Sequence, residues 1–230
     1  MVEVIIAEDN EPVSIHLSNV INATNEVHAI SILNKGTDVY QTIKTLKPAI
    51  LVLDLKLPGE DGIEILNKIE NDEELDIRVV VYSGKPEYIA KLRGFKSVEM
   101  FFDKLHTCEE VGIEVQRIAR NIADDQLEKK IKNLLIKTGF KPGHKGTEYI
   151  KECIKLSIKE NTETLEKIYG NIAVRSGKRP GTIKADVQGA INKMWRVSDK
   201  EKTRKIFRLV GNETPSPSNV VSMMKYYIEG

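Results

Sequence analysis

The sequence predicts an α/β N-terminal half, built as a doubly wound (βα)5 parallel sheet, followed by an all-α half with a helix-turn-helix. Through about residue 122, apolar runs of strand length alternate five times with amphipathic stretches of helix length. Beyond it, apolar residues recur only at helical spacing. The charge changes at the same point: residues 1–122 carry 13 basic and 21 acidic side chains, a net −8, and residues 123–230 carry 22 and 13, a net +9. Two domains with different partners are therefore expected.

Several classes of protein are excluded by the composition. The longest apolar runs are strand-sized, such as Ala49–Leu53 and Val79–Tyr82, whereas a membrane span needs about 20 apolar residues. The N-terminus lacks the basic segment of a signal peptide. The two cysteines, Cys108 and Cys153, are isolated from each other, which argues against a disulfide framework or a zinc site. We therefore expect a cytoplasmic protein without a membrane partner.

Five strands and five helices are predicted in the first half. The strands are Val2–Ala7, Val27–Ser31, Ile50–Asp54, Val79–Ser83 and Met100–Phe102. The helices are Glu11–Ile21, Gly36–Leu46, Gly62–Asn71, Pro86–Gly94 and Thr107–Ile122. Strands that are joined through helices pair in parallel and bind ligands at their carboxyl ends.

Polar side chains lie at the carboxyl ends of four of these strands: Glu8 and Asp9 at the first, Asp54 at the third, Ser83 at the fourth and Lys104 shortly after the fifth. Carboxylate oxygens suit Mg²⁺, and a carboxylate beside Mg²⁺ can attack a phosphoryl group. Ser83 would then donate a hydrogen bond to a phosphoryl oxygen, and Lys104 would neutralise charge. Taken singly, each residue also fits a turn, a loop serine or a solvated lysine, but their shared position at strand ends favours one site.

Four segments resemble the receiver domain of bacterial two-component response regulators. They are Ala7–Asn10, Val52–Gly62, Val81–Gly84 and Phe101–Lys104. The resemblance covers residues 1–122 and implies that Asp54 is the phosphoacceptor, assisted by Ser83 and Lys104. It also implies that Asp9, Asp54 and the backbone carbonyl of Lys56 bind Mg²⁺, with Glu8 acting through water.

The same resemblance implies a switch formed by Ser83 and Phe101, and dimerisation upon phosphorylation. It implies a sensor histidine kinase or phosphotransfer protein as partner, and self-catalysed phosphate chemistry rather than a dedicated enzyme. One residue departs from the family: Leu105 stands where a proline usually follows the lysine.

The second half is expected to contain a linker and first helix over residues 123–138, starting at a polar break near Ala123–Gln126, and a helical DNA-binding domain over residues 139–230. Two apolar faces, Leu165–Ala173 and Ile183–Trp195, flank a turn at Ser176–Gly181, which fits a helix-turn-helix. Side chains on or beside its second helix are candidates for base and phosphate contacts. They are Lys178, Arg179, Thr182, Lys184, Gln188, Asn192 and Arg196.

A second resemblance covers residues 139–230, which look like the DNA-binding domain of the stage-zero sporulation response regulator of endospore-forming bacteria. Its segments are Lys145–Glu152, Ile168–Ala173, Ile183–Trp195 and Pro215–Met224. It implies six helices that bind a short promoter box, often as a tandem dimer. The family's recognition helix is rich in arginine, whereas this one offers Ala185, Gln188 and Gly189.

Two functions remain open at the level of sequence. The favoured one is a phosphorylation-controlled transcriptional regulator that binds DNA. The alternative is a phosphorylation-gated protein-interaction module whose helical half no longer binds specific DNA. A third reading, a metal-dependent phosphatase, lacks residues for a substrate pocket.

Overall fold

A computed structural model describes residues 1–84, 88–160 and 164–230. They form two compact units, Met1–Asp124 and Asp125–Gly230. The first is α/β and the second is helical, which confirms the predicted fold class. Among the described residues, every helix is too short or too polar to cross a bilayer.

The first unit contains a parallel five-stranded sheet. Its strands are β1 (Val2–Ala7), β2 (Val27–Leu33), β3 (Ile50–Leu53), β4 (Arg78–Tyr82) and β5 (Val98–Phe102), in the order β2-β1-β3-β4-β5. The chain moves from β1 to one side and then returns to the other side through β3, so the strand order reverses between these two strands. A crevice opens at the carboxyl ends of strands where the order reverses. The ends of β1 and β3 therefore border the expected ligand site.

Helices cover both faces of this sheet. They are α1 (Glu11–Ile21), α2 (Gly36–Leu46), α3 (Gly62–Glu70), α4 (Ile89–Leu92) and α5 (Cys108–Lys137). Alternate residues of β1 face opposite sides, as expected for a strand: Val4 and Ile6 pack in a core with residues of α1 and α5. Ile5 and Ala7 pack in the other core with residues of α2 and α3.

Short polar caps start the two helices nearest the crevice. Asn10, three residues after β1, accepts a hydrogen bond at Oδ1 from the Val13 amide (3.3 Å) and caps the start of α1. Asp61 accepts one from the Ile63 amide (2.8 Å) and begins α3. Such caps satisfy amides that have no partner within the helix. They also turn the chain sharply after β1 and after the loop that follows β3.

Two predicted helices differ from the structure. The fourth, predicted as Pro86–Gly94, is observed only as Ile89–Leu92, and Lys85–Glu87 lie outside the described residues. The fifth, predicted as Thr107–Ile122, continues to Lys137. The helix end expected at Ile122 is therefore wrong, although the boundary between the two units falls between Asp124 and Asp125, within the polar stretch Ala123–Gln126 where the junction was expected. Those four residues include neither glycine nor proline, and exposed polar side chains do not interrupt a helix.

The second unit packs five helices and the end of α5 around one core. The five are α6 (Lys145–Lys159), α7 (Leu165–Ser176), α8 (Pro180–Val197), α9 (Lys200–Phe207) and α10 (Pro217–Glu229). The core includes Ile131 from α5, Ile154 from α6 and Val187 from α8. The helices α6 and α8 approach closely at Gly146, where a Cβ atom would lie 2.0 Å from the Asp186 carbonyl oxygen. Only glycine permits this crossing.

We expect Gly146→Ala to destabilise the second unit by about 1–3 kcal/mol, because the added methyl group must push the α8 backbone away. Trp195, the chain's one tryptophan, is buried in this unit, so its fluorescence during urea unfolding reports on it. Gly170→Ala in α7 is the matched control, since a Cβ there meets nothing within 4 Å. Equal unfolding midpoints for the two variants would contradict the close contact.

Candidate functional site

Backbone hydrogen bonds place the polar strand ends of the first unit beside one another. The Asp54 amide donates to the Ala7 carbonyl (2.9 Å), and the Glu8 amide donates to the Leu33 carbonyl (2.9 Å). Both bonds continue the sheet one residue beyond the strands. Glu8 and Asp54 are thus fixed to the rigid edge of the sheet at the crevice.

Three carboxylates meet at this edge. One oxygen each from Glu8, Asp9 and Asp54 lies within 4.8 Å of the other two. Glu8 is 3 % exposed and Asp54 is 7 % exposed, whereas Asp9 is open to solvent. The cluster therefore has a buried floor and one accessible side.

Lys104 joins the cluster from the loop that follows β5. Its ammonium group forms an ion pair with Glu8 Oε2 and lies 3.3 Å from Asp54 Oδ2. The other oxygen of Asp54, Oδ1, accepts a hydrogen bond from the Lys56 amide (3.0 Å). The two oxygens of Asp54 are therefore held by different partners, which orients the carboxylate.

The cluster has more negative than positive charge. Burial raises the pKa of Glu8, and the hydrogen bond and charge of Lys104 oppose this effect. Among the described residues, three carboxylates against one ammonium leave an excess of two negative charges when all are ionised. Hard oxygen ligands with excess negative charge, open to water on one side, suit a divalent cation of the Mg²⁺ type. The residues present thus fit such an ion.

The remaining receiver candidates lie around this cluster. Ser83 is fully buried, its amide donates to the Phe102 carbonyl (3.0 Å), and its hydroxyl group has no hydrogen-bond partner within the described residues. Phe101 is half-buried against the core of the α2 and α3 face. The Lys56 side chain is exposed, so its link to the site runs through the backbone. The roles of these three residues stay predictions.

One residue at the site was missed by the sequence analysis. Tyr82, the last residue of β4, places its ring 4.5 Å from the Lys104 ammonium, and its hydroxyl donates to the His106 carbonyl (2.9 Å). Burial raises the pKa of Tyr82 to about 12. Its position directly before Ser83 was the available signal, but an aromatic residue in a buried strand is typical of core.

The departure at Leu105 leaves an apolar side chain in solvent. Leu105 is 90 % exposed, and its amide donates to Asp103 Oδ1 (3.1 Å). The peptide bonds described in the structure are all trans. The loop between β5 and α5 is thus shaped by hydrogen bonds rather than by a proline ring.

In the second unit, α7 and α8 form the predicted helix-turn-helix. The helix α7 ends at Gly177, whose φ of 66° is left-handed, and the Lys178 amide donates back to the Ala173 carbonyl (3.0 Å). Pro180 then begins α8. Glycine permits this left-handed end without strain, and proline favours a helix start.

The candidate nucleic-acid side chains lie on or beside α8. Arg179, Thr182, Lys184, Asn192 and Arg196 are exposed, and Gln188 and Lys178 are half-buried. Gln188 Nε2 donates to Asn192 Oδ1 (3.0 Å), so these two amides hold each other. The ammonium group of Lys184 lies 3.1 Å from the Glu166 carboxylate on α7.

Lys178 is held more firmly than the other candidates. Its ammonium lies 5.0 Å from the centre of the Tyr149 ring and 3.8 Å from the Asp186 carboxylate. A hydrogen bond with the Tyr149 side chain raises the pKa of Lys178. Lys178 must therefore give up contacts within its own unit to reach a phosphate.

Known proteins match the two units separately. Residues 4–101 match the response regulator receiver domain family, and residues 131–228 match the family described as sporulation initiation factor Spo0A C terminal.

Two curated relatives match somewhat more than a third of the chain. The DNA-binding transcriptional activator EvgA of Escherichia coli (strain K12) is 25% identical over 83 residues, 36% of this chain and 41% of the relative. The oxygen regulatory protein NreC of Staphylococcus aureus (strain JH9) is 28% identical over 89 residues, 38% and 41% of the two chains. The chain thus spans about two fifths of the length of these relatives.

Solved structures also resemble about half of the chain. A DNA-binding response regulator of the LuxR family from Staphylococcus aureus has a TM-score of 0.48 and 23% identity, and covers 52% of this chain and 99% of its own. The response regulator domain of Thermotoga maritima CheB has a TM-score of 0.46 and 21% identity, and covers 53% and 95%.

The two family models are therefore the informative matches. They follow one another along the chain without overlap, and each falls on one of the two units. The chain belongs to the response regulators, with an N-terminal receiver domain and a C-terminal domain of the sporulation initiation factor Spo0A family.

Proposed function

We propose that the protein is a phosphorylation-controlled, DNA-binding regulator of transcription that accepts phosphate on Asp54. One observation carries this proposal: Asp54 is a buried carboxylate in the crevice, with both oxygens oriented, beside two further carboxylates and Lys104. A sensor histidine kinase or phosphotransfer protein is the expected phosphate donor.

In this reaction an oxygen of Asp54 attacks the phosphorus atom of the donor. A new P–O bond forms, and the bond from phosphorus to the donor breaks with its electron pair remaining on the donor. Glu8, Asp9, Asp54 and the Lys56 carbonyl would hold Mg²⁺, which supplies positive charge against the phosphoryl oxygens. Lys104, already 3.3 Å from Asp54 Oδ2, supplies a further positive charge and moves from the carboxylates toward the phosphoryl group.

The product offers new acceptor oxygens beside Ser83, whose buried hydroxyl lacks a partner within the described residues. Ser83 turns toward the phosphoryl group, and Phe101 follows inward, which changes the receiver surface formed by α4, β5 and α5. The changed surface favours a homodimer. Two DNA-binding domains held together bind adjacent sites with a higher effective concentration.

A second candidate is the phosphorylation-gated interaction module. It is favoured by the exposed face of α8, where Gln188 and Asn192 bond to each other and Lys184 is paired with Glu166. Side chains that already bond to one another are less free to contact DNA bases and phosphates. Salt separates the two candidates, because phosphate contacts make DNA affinity fall steeply with salt.

We expect Asp54→Asn to abolish phosphorylation by acetyl phosphate and Mg²⁺, because an amide cannot act as the nucleophile. Intact mass spectrometry measures the added phosphoryl group, and sedimentation velocity measures the accompanying dimer. Asp76→Asn, which alters an exposed carboxylate away from the cluster, should behave as wild type. A phosphorylated Asp54→Asn protein would place the acceptor elsewhere.

We expect Mg²⁺ at about 100 times its dissociation constant to stabilise the first unit by about 2.7 kcal/mol, because the ion binds only the folded carboxylate cluster. Scanning calorimetry with Mg²⁺ or with chelator measures this shift. Asp9→Asn should remove most of it and should raise stability in chelator, because one repelling charge is lost. Glu73→Gln, at an exposed site, is the control. An undiminished shift in Asp9→Asn would exclude it as a ligand.

We expect the phosphorylated full chain to select one short DNA motif. Arg196→Ala should weaken binding to all sequences and lower the salt slope by about one, whereas Asn192→Ala should relax preference at one position. Binding is measured by fluorescence anisotropy at several salt concentrations, with the exposed Lys130→Ala on α5 as control. Absence of DNA binding at low salt would favour the interaction module.

A further inference from the structure

Tyr82 contacts the loop between β5 and α5 at two points. The loop carries Lys104, whose ammonium lies 4.5 Å from the centre of the Tyr82 ring. Two residues further on, the His106 carbonyl accepts a hydrogen bond from the Tyr82 hydroxyl (2.9 Å). Tyr82 itself is 5 % exposed and packs in the core of the α1 and α5 face. Tyr82, at the end of β4, thus contacts both Lys104 and His106 in the loop that follows β5.

Apart from the ion pairs of Lys104, the other contacts of the loop within the described residues are mostly local. Its bonds from the Leu105 amide to Asp103 Oδ1 (3.1 Å) and from the His106 amide to the Asp103 carbonyl (2.9 Å) are local and shape only the turn. The His106 ring contacts Phe102, which belongs to the adjoining strand (centres 5.3 Å apart). Leu105 points its apolar side chain into solvent. Lys104 pairs with Glu8 and Asp54 at the ends of other strands, and the Tyr82 hydroxyl ties the loop backbone to β4.

Lys104 needs such a restraint. Lysine has a flexible stem, so fixing its side chain in one place costs rotamer entropy. A ring face below the ammonium attracts the charge and closes one side of the space that the stem could explore. The attraction also leaves the ammonium between Glu8 and Asp54, where the incoming phosphoryl group must meet it.

We propose that Tyr82 is a positioning residue for phosphoryl transfer, which holds Lys104 with its ring and holds the loop of Lys104 with its hydroxyl group. The proposal rests on the proposed phosphorylation of Asp54. Since the pKa of Tyr82 is about 12, the phenol remains a hydrogen-bond donor over the whole working range of pH. In this chain Tyr82 restrains the loop from β4, as a proline after the lysine would restrain it from within the loop.

A double-mutant cycle on the full chain tests the proposal. The initial rate of phosphorylation by acetyl phosphate and Mg²⁺ is measured for Tyr82→Phe and Tyr82→Leu, each with Lys104 and with Lys104→Ala. With Lys104 present, we expect the rate to fall about threefold in Tyr82→Phe, from loss of the hydrogen bond. It should fall about tenfold or more in Tyr82→Leu, from loss of the ring as well. With Lys104→Ala, the ring has nothing to position, so the added loss in Tyr82→Leu over Tyr82→Phe should disappear.

A purely structural role predicts a different pattern: the same fold loss in both backgrounds, or no loss in either, and each would overturn the proposal. Circular dichroism checks that the variants fold, and Tyr82→Phe keeps the ring volume if Tyr82→Leu does not. Leu105→Ala and Tyr226→Phe are matched controls, the first an exposed loop residue and the second a tyrosine under Arg208 in the other unit. A wild-type chain that gains no phosphoryl group would instead overturn the proposed function, and this inference with it.

Discussion

In the part of the chain that the structure describes, three carboxylates share one crevice with one ammonium group, and the repulsion among these carboxylates constrains the first unit. Like charges at this distance repel, so the cluster persists only because rigid elements hold each member. The bond from the Asp54 amide to the Ala7 carbonyl joins two strand ends, and the caps at Asn10 and Asp61 turn the chain away at once. The fold thereby supplies the stability that the crevice itself lacks. The same crowding of carboxylates suits the crevice to a cation.

The positions of residues in the sheet could be predicted from the sequence, because they depend on strand order and side-chain alternation and not on details of packing. The rule that polar residues gather at the carboxyl ends of parallel strands brought Glu8, Asp9, Asp54 and Lys104 to one place, and the structure has them there. The contacts of Tyr82 were beyond that reasoning. Whether an aromatic ring lies under a lysine depends on the path of a loop, and the loop follows hydrogen bonds that no periodicity shows.

The second unit shows the same division between scaffold and surface. Ile183, Val187 and Ile191 recur at helical spacing and are fully buried, so the apolar pattern was sufficient to orient α8. The partners of its charged residues were not predictable, because long side chains choose among neighbours that only the folded unit brings near. Lys178 rests against Tyr149, 29 positions earlier in the chain, rather than extending into solvent. The prediction that the fifth helix ends at Ile122 was wrong for a related reason. Polar residues indicate exposure to solvent, whereas glycine or proline indicates the end of a helix.

Gly181 and Gly189 of α8 lie apart from the contacts that keep the helix folded. A Cβ atom built on Gly181 or Gly189 meets nothing within 4 Å, in contrast to Gly146, which the α8 backbone crowds. New side chains can therefore enter the exposed face without disturbing the core, and replacing the helical Gly189 adds up to about 1 kcal/mol of helix propensity. Substitutions at these two positions should therefore not lower the stability of the second unit. Single substitutions at Gly181 and Gly189 can therefore change the surface of α8 while the fold stays intact.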